Sequence, residues 1–219
     1  MIKAILFDLD GTLVNSIFDI AAAMNHALES LSLPTFSVEQ YHKMVGNGMK
    51  NLCLRALPED RQSLCPELLQ RYNARYLTHC CNETRVYDGV PELLSSLKQA
   101  GLRLALITNK PAPQTCRVME ALLPGAPLDV VWGQQPPFAV KPDPAVYRHV
   151  CALLGVTPEE TVYCGDSDVD ILIAHNAGAL GLGCLWGFRG EAELRAAGAD
   201  LLAEAPARIL PLLRAASLL

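Results

Sequence analysis

The chain has 219 residues, 51% of them hydrophobic and 19% charged, which is enough for one sizeable globular domain with or without a smaller insertion. Its formal net charge of −5, without any cluster of Lys or Arg, argues against a nucleic-acid-binding surface. No apolar run approaches the roughly 20 residues of a membrane-spanning helix. The eight cysteines lack the spacing of a zinc site, and no signal peptide is recognisable, so we predict reduced thiols in a cytoplasmic protein.

Short apolar runs that end in polar residues recur along the chain. The first covers residues 2–7 and stops at Asp8, and similar runs cover residues 102–107 and 161–164. Weaker candidates lie at residues 129–132 and 180–185. Runs this short and this apolar are typical of parallel strands that are buried on both faces.

Helical patterns separate these runs. The clearest covers residues 90–100, where Val90, Leu93, Leu94 and Leu97 define one face, and similar patterns cover residues 145–154 and 170–177. The tail from Glu191 predicts a helix, a short strand and a final helix. Strands that alternate with helices favour an α/β fold, a doubly wound, Rossmann-like parallel sheet with helices on both faces.

One long stretch breaks this alternation. Residues 16–83 contain helical patterns only, with turns predicted at Pro34 and around Gly46 and Gly48. We therefore predict a small all-α cap domain (residues 16–83, the cap), inserted into a Rossmann-like core domain (residues 1–15 and 84–219, the core). The cap loop around Asn47 is a turn by default, and closure of this loop over an active site is a hypothesis.

Polar residues follow the predicted strands or lie near them. Because ligands of doubly wound sheets bind beyond the carboxyl ends of the strands, we expect these residues to meet at one edge. They are Asp8 and Asp10 after the first strand, Thr108 and Asn109 after the second, Asp166 and Asp170 after the third, and Lys141 before a helix.

Several carboxylates in one crevice repel one another, and a hard divalent cation would make the arrangement favourable. Mg²⁺ takes oxygen ligands from one or two carboxylates and from substrate phosphate, and Asp8 and Asp166 are the natural ligands. Lys141 would hold a phosphoryl oxygen, as would Thr12 with nearby backbone N–H groups. The Asp8 carboxylate can attack phosphorus to form an aspartyl-phosphate, while Asp10 points elsewhere and can serve the leaving group.

Four motifs, in order and across the whole chain, resemble those of the haloacid dehalogenase-like hydrolase superfamily. They are the stretch Phe7-Asp8-Leu9-Asp10-Gly11-Thr12-Leu13, then Thr108-Asn109, then Lys141-Pro142, and last Gly165-Asp166-Ser167-Asp168-Val169-Asp170. Each motif taken alone has a structural explanation, such as a turn or a helix cap; the combination favours the functional interpretation.

The resemblance implies a role for each matching residue. Asp8 would be the nucleophile and a Mg²⁺ ligand, and Asp10 the general acid and base as well as a ligand through its main-chain oxygen. Asp166 would complete the metal site with support from Ser167 and Asp170. Thr108 and Lys141 would bind the phosphate, and Asn109 would help to bind the substrate.

The chain resembles most the phosphoglycolate phosphatase branch of this superfamily, with Thr108-Asn109-Lys110-Pro111 and the cap loop as further matches. The leading hypothesis is therefore Mg²⁺-dependent hydrolysis of a small phosphorylated metabolite, such as 2-phosphoglycolate, by a monomer or homodimer. Two alternatives stay open, a phosphomutase with the same nucleophile and a non-catalytic regulatory protein. A dehalogenase is disfavoured because that branch lacks an acid at the position of Asp10.

Overall fold

A six-stranded parallel sheet lies at the centre of the molecule, in a computed structural model that describes residues 1–219. The strands in chain order are β1 (Ala4–Phe7), β2 (Val14–Asn15), β3 (Arg85–Val86), β4 (Arg103–Pro111), β5 (Val130–Gln134), β6 (Thr161–Gly165), β7 (Leu180–Cys184) and β8 (Leu201–Ala203). The order across the sheet is β5-β4-β1-β6-β7-β8, and β2 pairs with β3 in a separate two-stranded ribbon. This confirms the predicted doubly wound α/β core.

Helices cover both faces of the sheet and also form the inserted region. In chain order they are α1 (Ile17–Glu29), α2 (Val38–Met44), α3 (Met49–Ala56), α4 (Cys65–His79), α5 (Val90–Gln99), α6 (Ala112–Leu122), α7 (Ala145–Leu154), α8 (Asp168–Ala177), α9 (Glu191–Ala196) and α10 (Ile209–Ala215). Short 3₁₀ turns cover Glu59–Leu64, Pro158–Glu160 and Pro206–Arg208.

Strand β1 shows why the apolar runs form the centre of the fold. Its side chains alternate between the faces, so Ile5 and Phe7 join one hydrophobic cluster and Ala4 and Leu6 join the other. All four residues are fully buried. The cluster that contains Phe7 continues into the cap helices, so the inserted helices share a core with one face of the sheet.

The topology places a crevice at the carboxyl end of β1. From β1 the chain runs outward through β4 and β5, then returns to the other side of β1 and continues through β6, β7 and β8. In open α/β sheets this reversal point is where ligands bind. Asp8 follows β1 directly and therefore lies at the reversal point.

Two boundaries at the crevice differ from the prediction in a way that concerns the site. Strand β4 continues to Pro111, with a register shift against β5 between Thr108 and Pro111, although the sequence predicted its end at Ile107. Helix α8 begins at Asp168, two residues earlier than predicted, because Ser167 and Asp170 form a capping box at its start. Both differences arise because polar residues that line a cleft can still take part in regular structure.

The two crossings between core and cap lie side by side. The ribbon of β2 and β3 pairs Val14 with Val86 antiparallel, just before the chain enters α1 and just after it leaves the cap. Asp19 of α1 then accepts hydrogen bonds from the backbone N–H groups of Glu83 and Thr84 and from the Thr84 hydroxyl. The helical character of residues 16–83 agrees with the sequence pattern, while their definition as a separate domain stays a prediction.

None of the helices is both long enough and apolar enough to cross a membrane.

Candidate active site

The ammonium group of Lys141 lies at the centre of the crevice, between two carboxylates. Its Nζ is 2.6 Å from Asp170 Oδ1 and 2.9 Å from Asp8 Oδ1, and it donates a hydrogen bond of 2.9 Å to the Tyr163 hydroxyl. Only 2% of the Lys141 side chain is exposed. Burial by itself would lower the pKa of Lys141, but Asp170 and Asp8 outweigh burial, so this pKa is held well above its usual range. The lysine is therefore a fixed positive charge.

Three buried carboxylates surround this charge, namely Asp8, Asp166 and Asp170 (the acid cluster). Their oxygens lie within 4.8 Å of one another. Burial, followed by the nearby Asp170 and Asp10 carboxylates, raises the pKa of Asp8 to about 6 despite the opposing effect of Lys141. Burial and the neighbouring Asp170 and Asp8 raise the pKa of Asp166 in the same way. The acid cluster thus holds more negative charge than Lys141 can neutralise.

The members of the acid cluster differ in how many partners they have. Asp170 is saturated, since Oδ1 faces Lys141 and Oδ2 accepts hydrogen bonds from the Ser167 hydroxyl (2.7 Å) and backbone N–H (3.0 Å). Asp8 Oδ1 lies at an ion-pair distance from Lys141 but accepts no well-aligned hydrogen bond. Asp166 Oδ2 accepts one hydrogen bond, from the Phe188 N–H. Oxygens of Asp8 and Asp166 therefore remain available to a cation.

Gly11 is what allows the chain to pass so close to Asp166. Its φ of +82° lies in the left-handed region, and a Cβ at this position would overlap the Asp166 carboxylate. The first and last sequence motifs therefore pack directly against each other, and only glycine fits between them.

Asp10 faces away from the acid cluster. Its Oδ1 accepts a hydrogen bond of 2.5 Å from the Ser16 hydroxyl, and its Oδ2 lies 2.7 Å from Lys110 Nζ. Lys110 also donates a hydrogen bond of 2.9 Å to the hydroxyl of Tyr76 in the cap helix α4. The two acids of the first motif thus have separate surroundings, as their different predicted tasks require.

The other predicted site residues lie around this centre and differ in how many hydrogen-bond partners they have. Thr108 lines the cavity, whereas the Thr12 hydroxyl is buried without a hydrogen-bond partner. Asn109 is fully engaged, because Oδ1 accepts from the Lys141 backbone N–H and Nδ2 donates to the carbonyls of Lys141 and Gly46. Asn109 thus holds the Lys141 segment and the cap loop together; the prediction that it contacts the substrate stays a prediction.

A cavity that is partly open to solvent lies between the core and the cap. Charged and polar residues of the core form one wall, including Asp8, Asp10 and Thr108. The opposite wall is apolar and comes mainly from the cap, with Ile20, Val45, Met49 and Leu52, together with Phe188 of the core. A phosphate group would lie at the first wall and the rest of a small substrate against the second.

Two cations of the cavity were given no role in the sequence analysis. Lys110 follows the second motif directly, so its place in the extended strand β4 could have drawn attention to it. Arg189 lies in the loop before α9, outside every motif, and reaches the cap loop, where it donates hydrogen bonds of 3.0 Å to the carbonyls of Lys43 and Val45. Nothing in the local sequence around Arg189 indicates that contact.

The acid cluster satisfies the chemical requirements of a hard divalent cation. It offers only oxygen donors, it is buried, and it gathers three carboxyl groups around a single lysine, which are conditions under which Mg²⁺ binds carboxylates. Asp8 and Asp166, whose oxygens have few partners, are the members with ligand capacity to spare.

Comparisons with known proteins agree with this geometry. Residues 5–182 match the family model described as haloacid dehalogenase-like hydrolase. The phosphoglycolate phosphatase of Mannheimia succiniciproducens is 38% identical over 194 residues, which cover 85% of this chain and 87% of that protein. The phosphoglycolate phosphatase of Haemophilus influenzae is 34% identical over 219 residues, covering 96% and 98%. A crystal structure from Lactobacillus delbrueckii subsp. bulgaricus superposes with a TM-score of 0.90 at 28% identity, covering 94% and 96%. The chain therefore belongs to the haloacid dehalogenase-like hydrolases.

Proposed function

We propose that this protein is a Mg²⁺-dependent phosphatase that hydrolyses small phosphate monoesters of the 2-phosphoglycolate type through an aspartyl-phosphate on Asp8. The observation that carries the proposal is the convergence of Asp8, Lys141, Asp166 and Asp170 at the reversal point of the sheet, with Asp10 held separately beside them. The substrate class is taken from the relatives, which are phosphoglycolate phosphatases and match this chain over most of their length.

The metal would be held by the carboxylates of Asp8 and Asp166 and by the main-chain oxygen of Asp10. Ser167 supports this site indirectly, because its two hydrogen bonds orient Asp170, which in turn orients Lys141. When bound, Mg²⁺ supplies positive charge that reduces the repulsion between the Asp8 carboxylate and the phosphoryl oxygens.

In the first step a carboxylate oxygen of Asp8 attacks phosphorus and the bond from phosphorus to the ester oxygen breaks. Lys141 holds a phosphoryl oxygen from a position that Asp170 and Tyr163 define, so it needs no rearrangement as charge develops. The hydroxyls of Thr12 and Thr108 donate to the remaining phosphoryl oxygens; that of Thr12 has no partner within the protein. Asp10 donates a proton to the departing ester oxygen.

In the second step water attacks the phosphorus of the aspartyl-phosphate, and Asp8 is released together with inorganic phosphate. Asp10, now ionised, accepts the proton of the attacking water. Ser16 and Lys110 keep the Asp10 carboxylate in one orientation for both steps. One residue can thus act first as acid and then as base, because the departing ester oxygen and the attacking water use the same side of the phosphorus.

Replacement of the nucleophile tests this proposal. We expect Asp8→Asn to abolish Mg²⁺-dependent phosphate release from 2-phosphoglycolate and from p-nitrophenyl phosphate, because an amide cannot attack phosphorus as the carboxylate does. Asp168→Asn is the matched control, since Asp168 belongs to the same sequence motif as Asp166 but is half-buried and outside the acid cluster. Undiminished turnover by Asp8→Asn would rule out the covalent mechanism.

The two alternatives predict different outcomes in the same assay. A phosphomutase would require a bisphosphate activator and would return the phosphoryl group to a sugar rather than release it. A regulatory protein would release no phosphate even with every motif residue intact. The phosphatase predicts phosphate release by the unaltered protein without any activator, with loss on chelation and recovery on addition of Mg²⁺.

A further inference from the structure

Lys110 is a buried cation on the leaving-group side of the cavity, apart from the acid cluster and from Lys141. It lines the cavity, and only 2% of its side chain is exposed. Its contacts are to Asp10, on the core wall, and to Tyr76, on the cap helix α4. A buried lysine rarely occurs without a paired anion, and the position of this one needs an explanation beyond packing.

Lys110 has hydrogen-bonding capacity that its protein partners do not use. An ammonium group carries three N–H donors, and the structure gives Nζ two acceptors, Asp10 Oδ2 at 2.7 Å and the Tyr76 hydroxyl at 2.9 Å. The third donor is available to a group inside the cavity. The cap side of the same cavity is apolar, with Ile20, Met49 and Leu52 among its residues. An anionic group of a substrate would therefore find one strong partner here.

The second unassigned cation, Arg189, is already engaged. It donates to the carbonyls of Lys43 and Val45 and lies 3.3 Å from Glu193 Oε2. These contacts hold the cap loop and engage both terminal nitrogens of the guanidinium group. Lys141 is likewise enclosed by Asp8, Asp170 and Tyr163 and faces the phosphoryl side. Lys110 is thus the cation positioned for the non-phosphate part of a substrate.

The position of Asp10 defines which substrate group Lys110 can reach. In the proposed mechanism the ester oxygen of the substrate must lie within hydrogen-bond distance of the Asp10 carboxyl. Lys110 Nζ lies beside that same carboxyl, so the ester oxygen and Nζ are neighbours. In 2-phosphoglycolate the carboxylate is attached to the carbon that carries the ester oxygen. A carboxylate at that position would come within reach of Nζ.

We infer that Lys110 is the residue that selects substrates with a carboxylate next to the phosphate ester, by an ion pair between its ammonium group and that carboxylate. This inference rests on the proposed function. It goes further because it assigns recognition of the carboxylate to a single residue, Lys110, which lies outside the four motifs. Tyr76 would keep the ammonium group in place from the cap side.

The test compares two substrates that differ only at the carboxylate. These are 2-phosphoglycolate and 2-hydroxyethyl phosphate, in which a neutral hydroxymethyl group replaces the carboxylate. The measured quantity is the ratio of their kcat/KM values in the unaltered protein, Lys110→Met, Lys110→Arg and the surface control Lys98→Met. We expect Lys110→Met to lower the ratio by about 30-fold or more, since loss of one partner of a buried charge pair has effects of that order. Lys110→Arg should restore most of the ratio, and Lys98→Met should leave it unchanged.

An equal fall for both substrates in Lys110→Met would overturn the inference, because it would mean that Lys110 only positions Asp10. Failure of the unaltered protein to hydrolyse either substrate would instead reject the proposed function.

Binding provides a separate test by calorimetry, with the same two compounds, Mg²⁺ and the inactive Asp8→Asn variant. Addition of Lys110→Met to that variant should weaken binding of 2-phosphoglycolate at least about 30-fold and that of 2-hydroxyethyl phosphate less than about threefold. Equal weakening of both would contradict the inference.

Discussion

The two walls of the cavity are built in opposite ways. The core wall consists of acidic, basic and neutral polar side chains at or near the carboxyl ends of parallel strands, nearly all of them buried and paired with one another. The cap wall consists of aliphatic side chains on α1 and α3 and in the loop between α2 and α3. Its polar contacts with the core are made largely through backbone carbonyls, those of Lys43, Val45 and Gly46.

This difference predicts that the two walls respond differently to substitution. The geometry of the core wall is over-determined, since Lys141 has three partners and Asp170 has no unused oxygen. The hydrogen bonds that join core side chains to cap carbonyls are few, and none of them involves the acid cluster. Substitutions in the core wall should therefore have large effects on catalysis and stability, and substitutions that affect the cap wall smaller ones.

The largest effect is expected for Lys141→Met. Removal of a buried cation leaves the acid cluster uncompensated, and breaking a buried pair in this way typically costs about 3–5 kcal/mol of stability. We also expect kcat to fall at least about 10²–10³-fold, because a fixed charge facing the phosphoryl group is lost. Urea unfolding in the absence of Mg²⁺ and steady-state kinetics measure the two effects.

The control for this variant is the exposed pair of Lys98 with Asp129, since Lys98→Met should change stability by no more than about 1 kcal/mol. Unchanged stability in Lys141→Met would contradict the conclusion that the geometry of the core wall is over-determined.

A pair of glycine substitutions compares the walls directly. Gly11 and Gly48 both have positive φ, +82° and +83°, so alanine should cost about 1–3 kcal/mol of backbone strain at either position. A Cβ on Gly11 overlaps the Asp166 carboxylate, whereas one on Gly48 lies 3.2 Å from a methyl group of Val140. We expect Gly11→Ala to lower kcat/KM at least about 100-fold by displacing Asp166, and Gly48→Ala to lower it less than about tenfold. Similar losses in the two variants would show that both walls are equally sensitive.

The smallest effect is expected for Arg189→Met, which removes two hydrogen bonds to the cap loop. Each such bond contributes about 0.5–1.5 kcal/mol, so the loop should be held less firmly while the acid cluster is unchanged. KM should rise by roughly three- to tenfold with little change in kcat. Arg195→Met is the matched control, because Arg195 is exposed and pairs with Glu191 on α9, away from the cap. A fall in kcat as large as that of Lys141→Met would contradict the separation of the two walls.

Much of the core could be predicted from local patterns. The apolar runs became β1, β4 and β6 because strands buried on both faces need continuous apolar sequence. The meeting of Asp8, Lys141, Asp166 and Asp170 followed from the rule that parallel strands present their carboxyl ends at one edge. The ribbon of β2 and β3 was missed, since two-residue strands have no periodicity to detect.

The roles within the site were less predictable than its location. Asn109 was expected at the substrate, but all its observed hydrogen bonds are with the backbone of the Lys141 segment and the cap loop. Neither the motif next to Lys110 nor the sequence around Arg189 indicates their contacts, which are to residues 34 and more than 140 positions away in the chain. Contacts over such separations depend on packing between core and cap, which no local pattern encodes.

The sequence alone determined the α/β core and the class of reaction, and it predicted the principal residues, beginning with the two acids after β1. Motif order and strand periodicity are local properties, and the chemistry of phosphoryl transfer requires those residue types together. The tertiary structure decided how the two acids differ, because Lys141 and the acid cluster enclose Asp8 while Ser16 and Lys110 hold Asp10. It also decided how Lys110, Lys141 and Arg189 are paired, because the orientation and pairing of a buried charge depend on every element packed around it.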